Sequence, residues 1–175
     1  MTKHQNHHLI EGYEKIAHRV HELLAKTTTY TGNELKNALL TAQDEVVALK
    51  QLTQAEAEQI GAWIKRDLHG MAQSIATTKE EAKEWLPIEI HAEEHYLYDQ
   101  LMSVADKTTL ELLELKEQAE LAPFEAWHTG EVTSPGILKC TKCGEQLHFE
   151  KTGHIPPCPK CHHSEFVRIA DTIKP

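Results

Sequence analysis

The sequence predicts a mostly α fold, an antiparallel helical hairpin or bundle that carries a small β module at its C-terminal end. Three observations lead there. From about residue 9 to 122, apolar residues recur at spacings of three and four on otherwise charged segments. After Phe124 the texture changes to glycine, proline and short β-prone runs. All four cysteines of the chain lie in that second part, as two C-x-x-C pairs.

The helical elements follow in order. Residues 1–8, with His4, His7 and His8, are expected to be a disordered tip. Tyr13, Ile16, Val20 and Leu23 then form one stripe, and Leu35, Leu39, Ala42, Val46 and Leu49 a second, with Gly32-Asn33 as the break between them. Thr53 and Glu56 have the spacing of a capping box: the Thr oxygen accepts an N–H of the first turn, and the Glu carboxylate reaches back. Ile60, Ile64, Leu68, Met71 and Ile75 follow as the third stripe. Gly61 and Gly70 either weaken this helix or let another backbone come close. Thr78 with Glu81 marks a further start, Pro87 a break or kink near Leu86, and Ile90, Leu97, Leu101 and Val104 the next stripe. Asp106 is a fair N-cap for the last helix, which ends at Pro123. Such narrow stripes cannot be buried by a lone helix, so the helices pair in hairpins or across subunits. Residues 9–122 thus read as an acidic helical bundle or coiled-coil region, and 123–136 as a linker.

Residues 137–172 read as the β module, with ILKC, QLHFE and EFVRIA as strand-prone runs. About 40 residues are too few for an adequate apolar core, so the module needs a staple. Cys140 and Cys143 are two residues apart, as are Cys158 and Cys161, and fourteen residues separate the pairs. A C-x-x-C turn aims two sulfurs at one point, and two such turns complete a tetrahedron around a metal with bonds of ~2.3 Å. Gly144 follows the first pair, where a positive φ is often needed; after the second pair that place is taken by His162. The pattern favours one structural Zn2+ held by Cys140, Cys143, Cys158 and Cys161, and hence a zinc ribbon. Rubredoxin-like iron would use similar turns, but this spacer is short and poor in aromatics. A thioredoxin-type redox pair wants a single C-x-x-C at a helix start. Four thiolates leave no coordination position for an activated water, so such a zinc is not expected to catalyse. His162 and His163 read as a turn residue and a solvated one.

HAEEH, at His91–His95, fits the inverted zinc-peptidase pattern H-x-x-E-H, with Glu94 as the base. His91 and His95 share a helix face and could hold a second metal. No motif places a third ligand, and the chain is small for that peptidase architecture, so a partly exposed face rich in Glu and His is the expectation. His18 and His21 read as surface residues. No Gly-rich phosphate loop, nucleophile elbow or pair of catalytic carboxylates is evident, and no catalytic residue is expected.

Charge is uneven. Residues 1–136 hold 12 Lys+Arg against 23 Asp+Glu, a net of −11, and residues 137–175 hold 6 against 4, a net of +2. An acidic body repels phosphate backbones and argues against nucleic acid. No stretch approaches the ~18 apolar residues of a membrane span, and the N-terminus has no signal-peptide core, which points to the cytoplasm and no membrane partner.

HTGEVTSPGILKCTKCGEQLHF and CPKCHHSEFVR, together with LTQAEAEQIGAWIKRDL and LYDQLMSVADKTTLELLELKE, resemble the proteobacterial family of uncharacterised zinc-ribbon-containing proteins. His128, Gly130, Glu131, Cys140, Cys143, Cys158 and Cys161 match its pattern, while Thr77–His95 matches less well. The resemblance implies the helical region, the ribbon and the four zinc ligands, and no activity. The expected function is therefore a non-enzymatic zinc-binding protein whose helices contact a protein partner, of unknown identity, or self-associate into a homo-oligomer. The alternative is a regulator that touches nucleic acid, the ribosome or RNA polymerase through a basic face of Lys139, Lys142, Lys151, Lys160 and Arg168, with Phe149 stacking.

Overall fold

In the first helix, α1 (Lys3–Leu24), the buried residues Tyr13, Ile16, Ala17 and Val20 line one face. A computed structural model describes residues 3–25, 32–78, 104 and 126–169. The helix starts at Lys3, so residues 3–8, expected as a disordered tip, belong to it. His7 Nδ1 lies 3.6 Å from Glu11 one turn on, and His8 Nε2 lies 3.8 Å from Glu56. These contacts give the first turns polar partners.

Helix α2 (Gly32–Ala48) buries Leu35, Leu39, Ala42 and Val46 as its stripe predicts. Leu49 leaves the stripe and is 67% exposed, because the helix ends one residue earlier. Lys50 takes a φ of 54°, its N–H donates to Val47 O, and the Gln51 N–H donates to Val46 O, which is a Schellman termination without glycine. Thr53 then caps α3 (Gln54–Thr78). The Thr53 N–H donates to Glu56 Oε2 at 2.8 Å, and the Glu56 N–H donates to Thr53 Oγ1 at 3.3 Å, so the capping box forms as expected. These N–H and O–H donors hold the Glu56 carboxyl below its ordinary range.

The three stripes meet in one core that joins Ile16 and Val20, Leu39 and Val46, and Ile60, Ile64 and Leu68. Arg19 of α1 clips Glu45 of α2, with Nε to Oε2 at 2.6 Å and Nη2 to Oε1 at 2.9 Å. Gly61 admits a side chain, not a backbone: an added Cβ would stand 2.2 Å from Gln43 Nε2, which donates to Ala57 O at 2.7 Å. Val104 is buried in the same core. The break at Pro87, the Ile90/Leu97/Leu101 stripe, the Asp106 cap and HAEEH lie outside the described residues.

Among the described residues six strands follow: β1 (Trp127–His128), β2 (Val132–Thr133), β3 (Gly136–Cys140), β4 (Gln146–Phe149), β5 (Gly153–His154) and β6 (Glu165–Ile169). They form an antiparallel sheet of order β1-β6-β3-β4 and a small β2-β5 pair. Residues 127–134 were expected within a linker, yet Trp127, Val132, Thr133 and Ser134 are all buried. Val132 sits in the helical core and Trp127 in the ribbon core with Leu138, Ile155 and Phe166. This segment therefore joins the two parts by packing between them.

Candidate metal centre

Each C-x-x-C pair sits in its own tight turn. After Cys140, which ends β3, the Gly144 N–H donates to Cys140 O at 3.0 Å. After Cys158 the His162 N–H donates to Cys158 O at 2.8 Å. Gly144 has a φ of 75° and His162 one of 57°, so both turns need the left-handed conformation, and histidine bears its cost at the second. His162 is exposed, and His163 Nε2 lies 3.1 Å from Thr141 Oγ1 and 3.7 Å from Glu165.

The two turns face each other. Sγ of Cys140 lies 3.7 Å from Sγ of Cys161, Sγ of Cys143 lies 3.5 Å from Sγ of Cys158, and all four sulfurs fall within 4.8 Å of one another. A tetrahedral site with bonds of ~2.3 Å has edges of ~3.8 Å, so the observed spacing fits one ion. No other group of three or more metal-binding side chains is present among the described residues.

Local electrostatics prepare the sulfurs for a cation. Burial opposes the thiolates of Cys140 and Cys158. The N–H groups of Cys143 and Lys142 at the first, and of Cys161 and Lys160 at the second, outweigh it. Both thiols fall below the ordinary range, Cys158 to about 7. At Cys143 the Glu145 N–H favours the anion, but burial and the neighbouring sulfurs of Cys161, Cys158 and Cys140 push it up to about 12. Four negative sulfurs cannot share this volume without a positive charge among them, which a soft dication would supply.

The family model described as "Zinc-ribbon containing domain" matches residues 22–170, which include both turns and the helices from the end of α1 onward. This chain belongs to that family. It is also similar to "Uncharacterized protein YbeL" of Escherichia coli K12, with 28% identity over 157 residues, covering 88% of this chain and 96% of the relative. YbeL of the O157:H7 strain matches to the same extent. No solved structure matches. The family thus spans ribbon and helices together, and the resemblance seen in the sequence is confirmed.

A second polar cluster, not anticipated from the sequence, joins ribbon to helices. Asp67 of α3 is fully buried. Its Oδ2 accepts from Tyr13 Oη at 2.8 Å, Thr133 Oγ1 at 3.1 Å and the Ser134 N–H at 2.6 Å, and its Oδ1 accepts from Trp127 Nε1 at 2.7 Å. Arg66 Nη2 lies 3.2 Å from Oδ1 and Arg168 Nη2 3.8 Å from Oδ2. Burial opposes the charge on Asp67, but Arg168, Arg66, the Ser134 N–H and the Tyr13 hydroxyl together hold the carboxyl below its usual range. Burial, then the Asp67 charge, pushes the Tyr13 hydroxyl well above its ordinary value. Arg66 and Arg168 stack on Trp127 at 4.9 and 5.8 Å from the ring centroid. Arg66 also binds Glu131, whose Oε2 accepts the His128 N–H at 2.8 Å across a turn in which Gly130 has a φ of 94°. The match at His128, Gly130 and Glu131 therefore marks a docking turn.

The signal for Asp67 was present in the stripe. It lies three residues after Ile64 and one before Leu68, where the period calls for an apolar side chain. Arg168, expected on a basic face, is corrected to a half-buried residue of this cluster whose side chain is only 5% exposed, because Asp67 and the carbonyls of Pro135 and Ser134 hold its guanidinium.

Proposed function

We propose that the chain binds one Zn2+ through Cys140, Cys143, Cys158 and Cys161 as a closed, structural site, and that it works as a cytoplasmic, non-enzymatic protein-interaction module. The single observation that carries the zinc reading is the convergence of four sulfurs at tetrahedral spacing. Four thiolates fill a zinc coordination sphere, which leaves no position for an activated water. For the interaction reading, Leu40 and Leu49, the exposed large apolar side chains of the described residues, at 49% and 67%, are the side chains such contacts would use. No helix of the described residues is long and apolar enough to cross a membrane.

The nucleic-acid alternative has less support. Arg168 is withdrawn from the surface, and Lys160 lies 3.8 Å from Glu145. Elemental analysis of the purified protein is expected to find one zinc per chain; its absence from protein purified without chelators overturns the reading. Light scattering after size exclusion tests self-association, and a monomer unaffected by Leu40→Lys with Leu49→Lys removes that part. A salt-dependent shift with single-stranded nucleic acid would favour the alternative.

A further inference from the structure

The metal centre and the Asp67 cluster are linked by three strands. Cys140 of β3 is paired with Phe166 of β6, and Phe166 is paired on its other edge with Trp127 of β1. Two residues along β6, on the same face as Phe166, Arg168 reaches Thr133 Oγ1 at 3.1 Å and Ser134 Oγ at 2.9 Å. The register that brings Cys140 to the other sulfurs therefore also delivers Trp127 and Arg168 to Asp67, and Arg168 in turn holds Thr133 and Ser134 beside it. Cys140, Cys158, Trp127 and Phe166 share one apolar cluster.

Asp67 depends on that delivery. Three of its hydrogen bonds, from Trp127, Thr133 and Ser134, come from the ribbon side, and the helices supply only Tyr13 and Arg66. A fully buried carboxylate cannot keep its charge with most of its donors gone unless water replaces them. Gly70 adds a steric reason. An added Cβ there would stand 2.9 Å from both Arg168 Cδ and Trp127 Cη2, so α3 is shaped to receive these two ribbon side chains.

We propose that the ribbon is a metal-gated cover on the helical domain: when the four cysteines give up their ion, Trp127, Ser134 and Arg168 leave Asp67, and the α1–α3 face around Tyr13, Asp67 and Gly70 opens to solvent. This rests on the zinc reading above. The gate makes the helices, and not only the ribbon, responsive to metal. By linkage, groups that hold the cover closed also raise metal affinity by the same factor.

Hydrogen exchange of the full-length protein, metal-loaded and after EDTA, tests this directly, with metal content measured on both samples. The expected result is that residues 63–71 lose protection together with 137–149, each exchanging at least ~10-fold faster. If 137–149 lose protection while 63–71 keep theirs, the gate is overturned and the zinc reading stands. If the untreated protein holds no stoichiometric metal, both fall. Independently, metal affinity measured by chelator competition is expected to drop ~5–150-fold in Asp67→Asn and in the milder Thr133→Val. Unchanged affinity in a variant of native helical content overturns the proposal.

Discussion

Replacing Asp67 by Ala tests the docking of ribbon on helices most severely. The change strands four donors, on Tyr13, Trp127, Thr133 and Ser134, and leaves the Arg66 and Arg168 guanidiniums, at 3.2 and 3.8 Å, without their shared counter-charge. Each stranded buried donor costs about 1–3 kcal/mol, but these losses overlap because the site relaxes and admits water. Breaking a buried ion pair by removing one partner costs about 3–5 kcal/mol, which sets the scale at ~4 kcal/mol. Against a typical stability of about 5–15 kcal/mol this is a large share. For a chain of this length it corresponds to a fall in Tm of roughly 8–16 °C. Thermal unfolding of the zinc-loaded protein by circular dichroism measures it. A Tm within about 3 °C of the parent would refute the idea that Asp67 holds the two parts together. Acid adds a second arm. The folded Asp67 carboxyl lies below its ordinary range, so it stabilises the fold above the unfolded value of ~3.9, and that contribution fades as pH falls through the lower folded value. Below about pH 4 the parent should lose stability more steeply than Asp67→Asn.

Three further changes separate local from long-range effects. Cys158→Ser leaves three sulfurs where the geometry is built for four; elemental analysis should show a lower metal-to-protein ratio, and NMR should show the β3, β4 and β6 amides collapsing, because structural zinc contributes ~10–16 kcal/mol to such modules. Gly136→Ala forces a φ of 139° on an L residue and puts its Cβ 2.2 Å from Arg168 Nη1, whereas Gly130→Ala, at 94°, meets nothing within 4 Å. Chemical denaturation should place Gly130→Ala at about 1–3 kcal/mol and Gly136→Ala above it; equal values would show that Arg168 is not held as described. Thr53→Ala should cost about 1 kcal/mol in the same assay, since it removes the cap of α3 and leaves the ribbon untouched.

What the sequence revealed, and what it hid, follows the range of each interaction. The four cysteines were legible because a C-x-x-C turn is local, and even the left-handed places at Gly144 and His162 follow from it. The stripes of α1, α2 and α3 and the Thr53–Glu56 cap were legible for the same reason. Leu49 was misassigned because the Schellman turn that ends α2 uses Lys50, which carries no glycine signature. Strands β1 and β2 have two residues each, too few to show alternation, so a packed segment looked like a linker. Gly61 and Gly70 hinted at close approach, but only the fold shows that side chains, of Gln43 at one and of Trp127 and Arg168 at the other, fill the space. Arg168 looked like a surface cation because its partner lies in another element about a hundred residues earlier, and no spacing rule reaches that far.

The order of the chain gives the buried carboxylate a history. Asp67 is synthesised 60 residues before Trp127 and 67 before Ser134. At about 5–20 residues per second, a ribosome takes roughly 3–13 s to add that stretch. For that interval the nascent helices offer Asp67 only Tyr13 and Arg66, and the donors of Trp127, Thr133 and Ser134 are not yet made. The Asp67 cluster can therefore be completed only after the ribbon residues that follow it in the chain have been made.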